Sequence, residues 1–297
     1  MRMEINSDAL YQEQLEEWSE FRERVEQLNT IQTRKIEMGG YYIIAQFNPA
    51  RAVSSGAKLD KKSIAARKCF LCSNNRPSIQ KGIELNERFT LLVNPFPILK
   101  KHFTIPLNEH CAQEILPYIA DFLNFAQRMP RYILFYNGPQ CGASAPDHIH
   151  FQAIEKGQLP LEKEWQLQEK EIWEENNDSK VEQLLNYGRK CIHIQSACAD
   201  NVIREFKSLY NKFQKETNTN DEPKMNLFGF VENGLIHLFI FHRRTHRPAQ
   251  FFETGEKFKM ISPGAIDIAG IFVLPRREDY ESICKEEIFD VLEQVSY

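Results

Sequence analysis

The stretch QCGASAPDHIHFQAI, from Gln140 to Ile154, joins a loop of small residues directly to an alternating strand. In a β-strand, successive side chains point to opposite faces of the sheet. His148, His150 and Gln152 are therefore predicted to share one face, while the apolar residues between them pack into a core. Polar side chains about 7 Å apart on one strand face can serve adjoining tasks at a site. The alternative is a half-exposed strand whose histidines have no function.

The loop before this strand has the composition of an anion-binding site. Small and turn-forming residues let backbone N–H groups surround an anion closely, and the loop contains Asn137, Gly138, Gly142, Ser144 and Pro146. A phosphate fits such a loop, with the Ser144 hydroxyl as an additional donor. An imidazole with its ordinary pKa of about 6.5 is largely neutral in the cytosol, so it is nucleophilic, and it also leaves phosphorus readily. The pattern favours a two-step transfer through a phosphohistidine.

These residues resemble the transferase branch of the histidine-triad (HIT) superfamily. That branch includes galactose-1-phosphate uridylyltransferase, ATP adenylyltransferase (diadenosine-tetraphosphate phosphorylase) and the GDP-hexose phosphorylases. The likeness rests on Asn137-Gly138 followed by CGASAPDHIHFQ, and the C-terminal ISPGAIDIAGIFVLPRREDYE extends it over most of the chain from Tyr41 onward. It implies an α+β, HIT-like fold in which two divergent histidine-triad-like halves form an antiparallel sheet with packed helices.

The resemblance also implies roles for individual residues. The second histidine of the motif becomes nucleotidylated in that branch, so His150 is the expected nucleophile. Gln152 stands where the hydrolase branch has a third histidine, and its amide can hydrogen-bond the phosphoryl oxygens without acting as an acid or base. Ser144 is expected to contact phosphate during catalysis, and Asn137 and Gly142 are expected to bind substrate.

A metal site is predicted around Cys69 and Cys72, because two intervening residues let both thiolates bind one tetrahedral ion. In the uridylyltransferases such a pair is completed by two histidines, so the resemblance implies His110 and His148 as the other ligands. His102 competes for this role and is disfavoured because it begins the strand-like segment HFTIP. A closed Cys2His2 site is structural, and it would fix His148 and the strand that follows. Zinc is the expected ion, with iron as the alternative.

Several basic residues are candidates for further phosphate contacts. Arg51 follows a strand-turn segment that resembles the uridylyltransferases, with Lys58 behind it, and a solvated basic loop is the alternative interpretation. Arg243, Arg244 and Arg247 form a guanidinium cluster suited to bidentate phosphate contacts, although surface salt bridges would also explain it.

Charge and cysteine content limit the class of protein. The 297 residues carry a formal net charge of −4 and a pI of about 6.1, so no overall positive field favours nucleic acid or an anionic membrane. The N-terminus lacks an apolar core of signal-peptide length, and the longest apolar runs are as short as strands. Seven cysteines, an odd number, favour reduced thiols over a disulfide framework. We therefore expect a cytoplasmic protein that binds neither nucleic acid nor membrane.

The chain is predicted to divide into four units. Apolar residues at helical spacing after Ser7 indicate an N-terminal helix, charged residues after Pro160 indicate a helical insertion, and Asn233-Gly234 between apolar runs predicts a hairpin. The units are an N-terminal helix (1–40), an N-terminal HIT-like half with the catalytic motif and metal site (41–160), a helical insertion or linker (161–190) and a C-terminal HIT-like half (191–297).

The predicted function is that of a nucleotidyltransferase of the phosphorylase type. Its substrate would be a nucleotide-sugar (NDP-sugar) or a dinucleoside polyphosphate, and phosphate or a sugar phosphate would accept the nucleotidyl group from a covalent nucleotidyl-histidine. Asp147 stands directly before His148, where the uridylyltransferases have a proline, which weakens the case for a uridylyltransferase in particular. The alternatives are a nucleotide phosphoanhydride hydrolase, which Gln152 argues against, and a catalytically silent nucleotide-binding protein. Whether a homodimer completes the site stays open.

Overall fold

The computed structural model describes residues 5–56, 61–176 and 178–297, so Lys58 lies outside the described residues. The strands within these ranges are β1 (Gln32–Glu37), β2 (Tyr42–Phe47), β3 (Gly82–Glu84), β4 (Thr90–Val93), β5 (Phe103–Pro106), β6 (Tyr132–Asn137), β7 (His150–Glu155), β8 (Lys170–Glu175), β9 (Lys180–Leu184), β10 (Cys191–Ser196), β11 (Met225–Glu232), β12 (Leu235–His242) and β13 (Ile271–Leu274). The α-helices are α1 (Ser7–Glu17), α2 (Ser19–Gln27), α3 (Ala52–Ser55), α4 (Lys61–Ala65), α5 (Ile119–Arg128), α6 (Leu161–Leu167), α7 (Ala199–Thr217), α8 (Ala265–Ile268), α9 (Arg277–Ser282) and α10 (Lys285–Val295).

Most strands belong to one large antiparallel sheet with the order β3-β4-β5-β7-β6-β11-β12-β10-β9-β8. Three strands, then a helix, then two strands occur twice along the chain, first with α5 and then with α7. The two sets meet where β6 pairs with β11, with Asn137 opposite Asn226. A smaller sheet, β1-β2-β13, is separate. The predicted α+β fold with a large antiparallel sheet and packed helices is confirmed.

Alternation along β7 places its apolar and polar side chains on different faces, as predicted. Phe151 is fully buried on one face, where it stacks on Phe89 and meets Phe122 of α5, both with ring centroids 5.3 Å away. Burying one such side chain stabilises the fold by about 1.5–3 kcal/mol. The opposite face carries Phe135 and Phe228 and packs against the smaller sheet, α8 and α10. His150 and Gln152 lie on this second face, at the end of the sheet where β7 begins.

The predicted hairpin at Asn233-Gly234 is confirmed. Both residues have positive φ, 51° and 78°, which a two-residue turn between twisted strands requires. β11 and β12 pair on either side of this turn, from Glu232 opposite Leu235 to Met225 opposite His242.

The N-terminal helix differs from the prediction in two respects. It is divided into α1 and α2 at Trp18, whose extended backbone (φ −108°, ψ 93°) lets the indole pack into the core. Its cap is Asn6, whose side chain accepts the N–H of Ala9, whereas Ser7 is a buried first-turn residue. Between Pro49 and Cys69, the described residues include the short helices α3 and α4.

The prediction that residues 161–190 are helical is wrong for most of this segment. Only α6 is helical, and β8 and β9 follow it to form the last two strands of the large sheet. The Asn176 side chain accepts the N–H groups of Asp178 and Ser179, which turns the chain between the two strands. Charged residues on an exposed edge strand gave the segment its helix-like composition. The boundaries of the four units stay a prediction.

Within the described residues, no helix combines the length and apolar character that a membrane crossing requires.

Candidate active site and metal centre

His150 opens strand β7 between β5 and β6 and is buried, with 4% of its surface exposed. Its Nδ1 lies 2.8 Å from the backbone carbonyl oxygen of His148. Because a carbonyl oxygen can only accept, Nδ1 carries the proton and donates it. The second ring nitrogen, Nε2, therefore keeps its lone pair, and no described residue bonds to it. Burial lowers the pKa of His150 to about 4, so the ring is neutral near pH 7.

Gln113 fixes the backbone around His150. Its side-chain oxygen accepts the His150 N–H at 2.8 Å, and its Nε2 donates to the carbonyl oxygens of Asn137, at 2.8 Å, and of His150, at 3.2 Å. Gln113 is 1% exposed, so water cannot replace its amide as the hydrogen-bond partner of these backbone groups. The sequence carries no signal for this role, since a single glutamine between β5 and α5 has no distinctive spacing.

We predict that Gln113→Leu lowers the free energy of unfolding by about 1–3 kcal/mol, because the buried N–H of His150 and carbonyl of Asn137 lose their partner. Chemical denaturation measures this change. Gln166→Leu, at an exposed position, is the matched control, with an expected change within about 0.5 kcal/mol. Equal unfolding free energies for the two variants would show that the Gln113 amide does not hold the site together.

Gln152 lies two residues beyond His150 on the same face of β7 and is half-buried. Its Oε1 is 2.9 Å from Nε2 of His102. His102 is thus a neighbour of Gln152, whereas His110 lies in a cluster with Cys69, Cys72 and His148. Within the described residues, the Gln152 Nε2 has no protein partner.

The four predicted metal ligands, Cys69, Cys72, His110 and His148, form one cluster whose donor atoms all lie within 4.8 Å of one another. Nδ1 of His148 is 3.2 Å from both Sγ of Cys69 and Nδ1 of His110, and Sγ of Cys72 is 3.3 Å from Nδ1 of His110. Zinc bonds of about 2.3 Å to sulfur and about 2.0–2.1 Å to nitrogen separate tetrahedral ligand atoms by roughly 3.3–3.8 Å. The cluster therefore fits a tetrahedral ion.

The surroundings of the two histidines suit metal binding. Nε2 of His148 donates to the Leu107 carbonyl at 2.8 Å, which leaves Nδ1 free to bind a metal. Asp147 lies 3.9 Å from Nε2 of His110 and accepts a hydrogen bond from Arg67 at 2.7 Å. Asp147, the residue that departs from the uridylyltransferases, is thus placed to orient a metal-binding histidine.

The loop before β7 is held by the C-terminal half of the chain. The side-chain oxygen of Asn137 accepts from the Ala265 N–H at 2.7 Å, and its own Nδ2 has no partner among the described residues. Gly142 has φ +98°, and a Cβ there would lie 2.6 Å from the Cα of Gly264, so only glycine fits. Ser144 is exposed, and its hydroxyl bonds to no described residue. Asn137 and Ser144 can thus donate to a ligand, whereas Gly142 permits close packing.

Arg51 lines a cavity of about 440 Å³, whose wall also includes Phe47, Asn48 and Phe96. Helix α2, which no sequence pattern placed at a site, supplies another part of the wall through Arg24 and two glutamates. The Arg24 guanidinium lies 4.3 Å from the ring centroid of Phe96. A volume in the range of about 300–1,000 Å³ is usual for small-molecule sites.

Comparison with known proteins gives two family matches that together span most of the chain. Residues 10–155 match a family described as a domain of unknown function (DUF4922), and residues 163–297 match the family described as GDPGP1-like, C-terminal domain. The C-terminal part of the chain thus matches a GDPGP1-like family, and the fold described above is HIT-like.

Solved structures share this HIT-like fold. Yeast Ap4A phosphorylase Apa2 in complex with Ap4A matches with a TM-score of 0.60 and 13% identity, over 94% of this chain and 96% of that one. The same yeast enzyme in complex with AMP matches with a TM-score of 0.59 and 14% identity, over the same shares of the two chains. No curated protein sequence matches the chain.

The arginines predicted to cluster at a phosphate site lie in separate surroundings and do not form one cluster. Arg243 is 1% exposed, and its guanidinium donates to Asn226 Oδ1 and to the carbonyl oxygens of Val295, Pro263, Thr245 and His246. Its predicted role in substrate binding is wrong, because a guanidinium surrounded by protein acceptors cannot face a ligand.

The other arginines lie in different surroundings. Arg244 is exposed beside the Tyr297 ring, and β12, which it follows, is three strands from β7, about 14 Å away. Arg247 donates to Ser262 and to the Ser55 carbonyl. Arg51, which is half-buried and donates to the Phe96 carbonyl at 3.3 Å, is the predicted arginine that lines the cavity.

We predict that Arg243→Met lowers the free energy of unfolding by about 3–5 kcal/mol, because it leaves several buried acceptors without a donor. Its neighbour offers a matched control, since Arg244→Met at an exposed position should change stability by less than about 0.5 kcal/mol. Thermal and denaturant unfolding measure both. A stable Arg243→Met protein with a raised KM would instead restore the substrate-binding role.

Proposed function

We propose that this protein is a histidine-triad nucleotidyltransferase of the phosphorylase type that forms a covalent nucleotidyl-histidine at His150. The observation that carries the proposal is the hydrogen bond from His150 Nδ1 to the His148 carbonyl, which leaves Nε2 as an unprotonated nucleophile. A GDPGP1-like family match and the likeness to an Ap4A phosphorylase solved with AMP and with Ap4A support a nucleotide substrate. The substrate class is a nucleotide-sugar or a dinucleoside polyphosphate.

The reaction would proceed in two displacements at the α-phosphorus. Nε2 of His150 forms a bond to phosphorus, and the bond from phosphorus to the leaving oxygen breaks, so a sugar phosphate or nucleotide departs with that electron pair. The proton stays on Nδ1, hydrogen-bonded to the His148 carbonyl, while the ring gains positive charge. An oxygen of phosphate or a sugar phosphate then attacks phosphorus, the nitrogen–phosphorus bond breaks, and the electron pair returns to Nε2.

Donors around Nε2 would stabilise charge on the phosphoryl oxygens. Gln152 and Asn137 each keep an amide N–H2 group free while their oxygens are bonded to protein, and Ser144 adds a hydroxyl. Arg51, which lines the cavity, would supply positive charge beside a nucleotide held against Phe47 and Phe96. Each ordered donor at such a site is commonly worth about 10²–10³ in rate.

The predicted zinc, or iron, would be held by Cys69, Cys72, His110 and His148, with Asp147 behind His110. Bound there, the ion supplies structural cross-linking and takes no part in bond making, since four protein ligands fill a tetrahedral site. The carbonyl of His148 orients His150, so holding His148 in place also keeps the nucleophile in place. A cytoplasmic setting, where thiols stay reduced, would suit this site.

Product analysis with and without inorganic phosphate tests the proposed reaction class. Incubating the protein with a panel of nucleotide-sugars and dinucleoside polyphosphates should give nucleoside diphosphate only when phosphate is present. Release of nucleoside monophosphate without phosphate would identify a hydrolase instead. Tight nucleotide binding with no product in either condition would identify a silent binding protein.

A further inference from the structure

His102 is a buried histidine next to the proposed active site, and its protonated nitrogen can be assigned. It is 1% exposed, directly precedes β5, and its ring lies against Phe135 with a centroid distance of 5.7 Å. The backbone N–H of Ile98 points at Nδ1 at 3.3 Å. A backbone N–H can only donate, so Nδ1 must be the acceptor and the proton of the neutral ring must lie on Nε2.

This tautomer in turn fixes the orientation of the Gln152 amide. Nε2–H of His102 donates to Gln152 Oε1 across 2.9 Å. The opposite orientation would bring two N–H donors together, so the Gln152 N–H2 group must point away from His102. Nδ2 of Asn94 is also 3.3 Å from His102 Nε2, but a nitrogen that already carries a proton cannot accept from it. The pairing register of β5 and β7 is consistent with this contact, because Thr104, two residues after His102, lies opposite Gln152.

An amide that is free to rotate would present either its oxygen or its nitrogen to a ligand. If Gln152 turned its oxygen towards a phosphoryl group, two partial negative charges would meet and the transition state would be destabilised. With its oxygen held by His102, the amide can act only as a donor. The Gln152 Nε2 has no other protein partner among the described residues, so it is available to a ligand.

We propose that His102 is a positioning residue that makes Gln152 an obligate hydrogen-bond donor to the phosphoryl group under attack. The proposal rests on the proposed function for the identity of that group. The orientation of the amide itself depends only on the contacts from Ile98 to His102 and from His102 to Gln152.

Three variants test this proposal. His102→Leu removes the donor and keeps an apolar side chain, whereas His102→Gln keeps an N–H near the position of Nε2. We expect His102→Leu to lower kcat by roughly 10²-fold with little change in KM, and His102→Gln to recover most of that loss. In a Gln152→Ala background, His102→Leu should cause no further loss, because its effect passes through Gln152. The proposal would be overturned if His102→Leu lowered kcat equally with and without Gln152. It would also be overturned if a folded His102→Gln protein recovered none of the lost kcat.

A second measurement does not depend on turnover. The ¹⁵N spectrum of histidine-labelled protein should show His102 as the neutral tautomer protonated at Nε2, in the wild type and in His150→Ala. A proton on Nδ1 would refute the positioning role even in an active enzyme. Failure to turn over any nucleotide, with the expected tautomer present, would instead refute the proposed function and leave the fixed amide in place.

Discussion

Replacing His150 with alanine is expected to reduce turnover by about 10⁴-fold or more, because loss of a nucleophile removes the covalent pathway itself. The wild-type protein, mixed with substrate labelled at the α-phosphate and denatured at neutral pH, should carry label that acid releases. Intact-mass analysis should show the added nucleoside monophosphate on the peptide that contains His150. His150→Ala should carry none.

A second buried histidine supplies the control for this experiment. His237 lies on β12, in the half that lacks the catalytic motif, and is 4% exposed like His150. His237→Ala removes an equally buried imidazole, so it should lose stability and still become labelled. Equal labelling of wild type and His150→Ala would show that another residue is the nucleophile.

Replacing Cys69 with serine is the change with the second-largest expected effect. The hydroxyl is a poor metal ligand, so the protein should lose its bound metal, and His148 should lose its fixed position beside the nucleophile. Metal binding contributes about 10 kcal/mol or more to folding in small zinc peptides. A domain with the large core seen here retains other stabilisation, so we expect a lower melting temperature and a loss of activity with the fold partly retained.

Elemental analysis of the purified protein measures this effect and identifies the metal. The wild type should carry about one zinc or iron per chain, and Cys69→Ser should carry almost none. Cys198→Ser, at an exposed cysteine far along the chain from the cluster, is the matched control and should keep both the metal and the melting temperature. Full metal content in Cys69→Ser would show that the cluster is not the metal site.

Local patterns explain which parts of the fold were predictable. Asn233-Gly234 predicted its hairpin because a tight turn depends on two adjacent residues that tolerate positive φ. The alternation of His150, Phe151 and Gln152 likewise predicted which side chains face the core. The cluster of Cys69, Cys72, His110 and His148 was reached through a family resemblance, since spacing alone identified only the cysteines.

The incorrect predictions concern residues whose role depends on distant partners. Arg243 looked like a phosphate ligand in sequence, but acceptors from the C-terminal helix and a distant loop surround it. The segment that forms β8 and β9 was predicted to be helical because edge strands in this sheet carry charge. Only the pairing of β9 with β10, and of β8 with β9, reveals the two strands. Gln113 acts through single hydrogen bonds to backbone atoms, and such contacts produce no repeating pattern in the sequence.

The close approach of Gly142 to Gly264 has a consequence for how this protein can be divided. The proposed nucleophile and the cysteine–histidine cluster lie in the first half of the chain, yet the loop proposed to bind phosphate rests on backbone from the second half, and the N–H of Ala265 orients the Asn137 side chain. Severing the chain between the two repeats would therefore remove the support of that loop while leaving every proposed reacting group present. We therefore expect the half without the catalytic motif to be required for the site, although it supplies none of the proposed reacting groups.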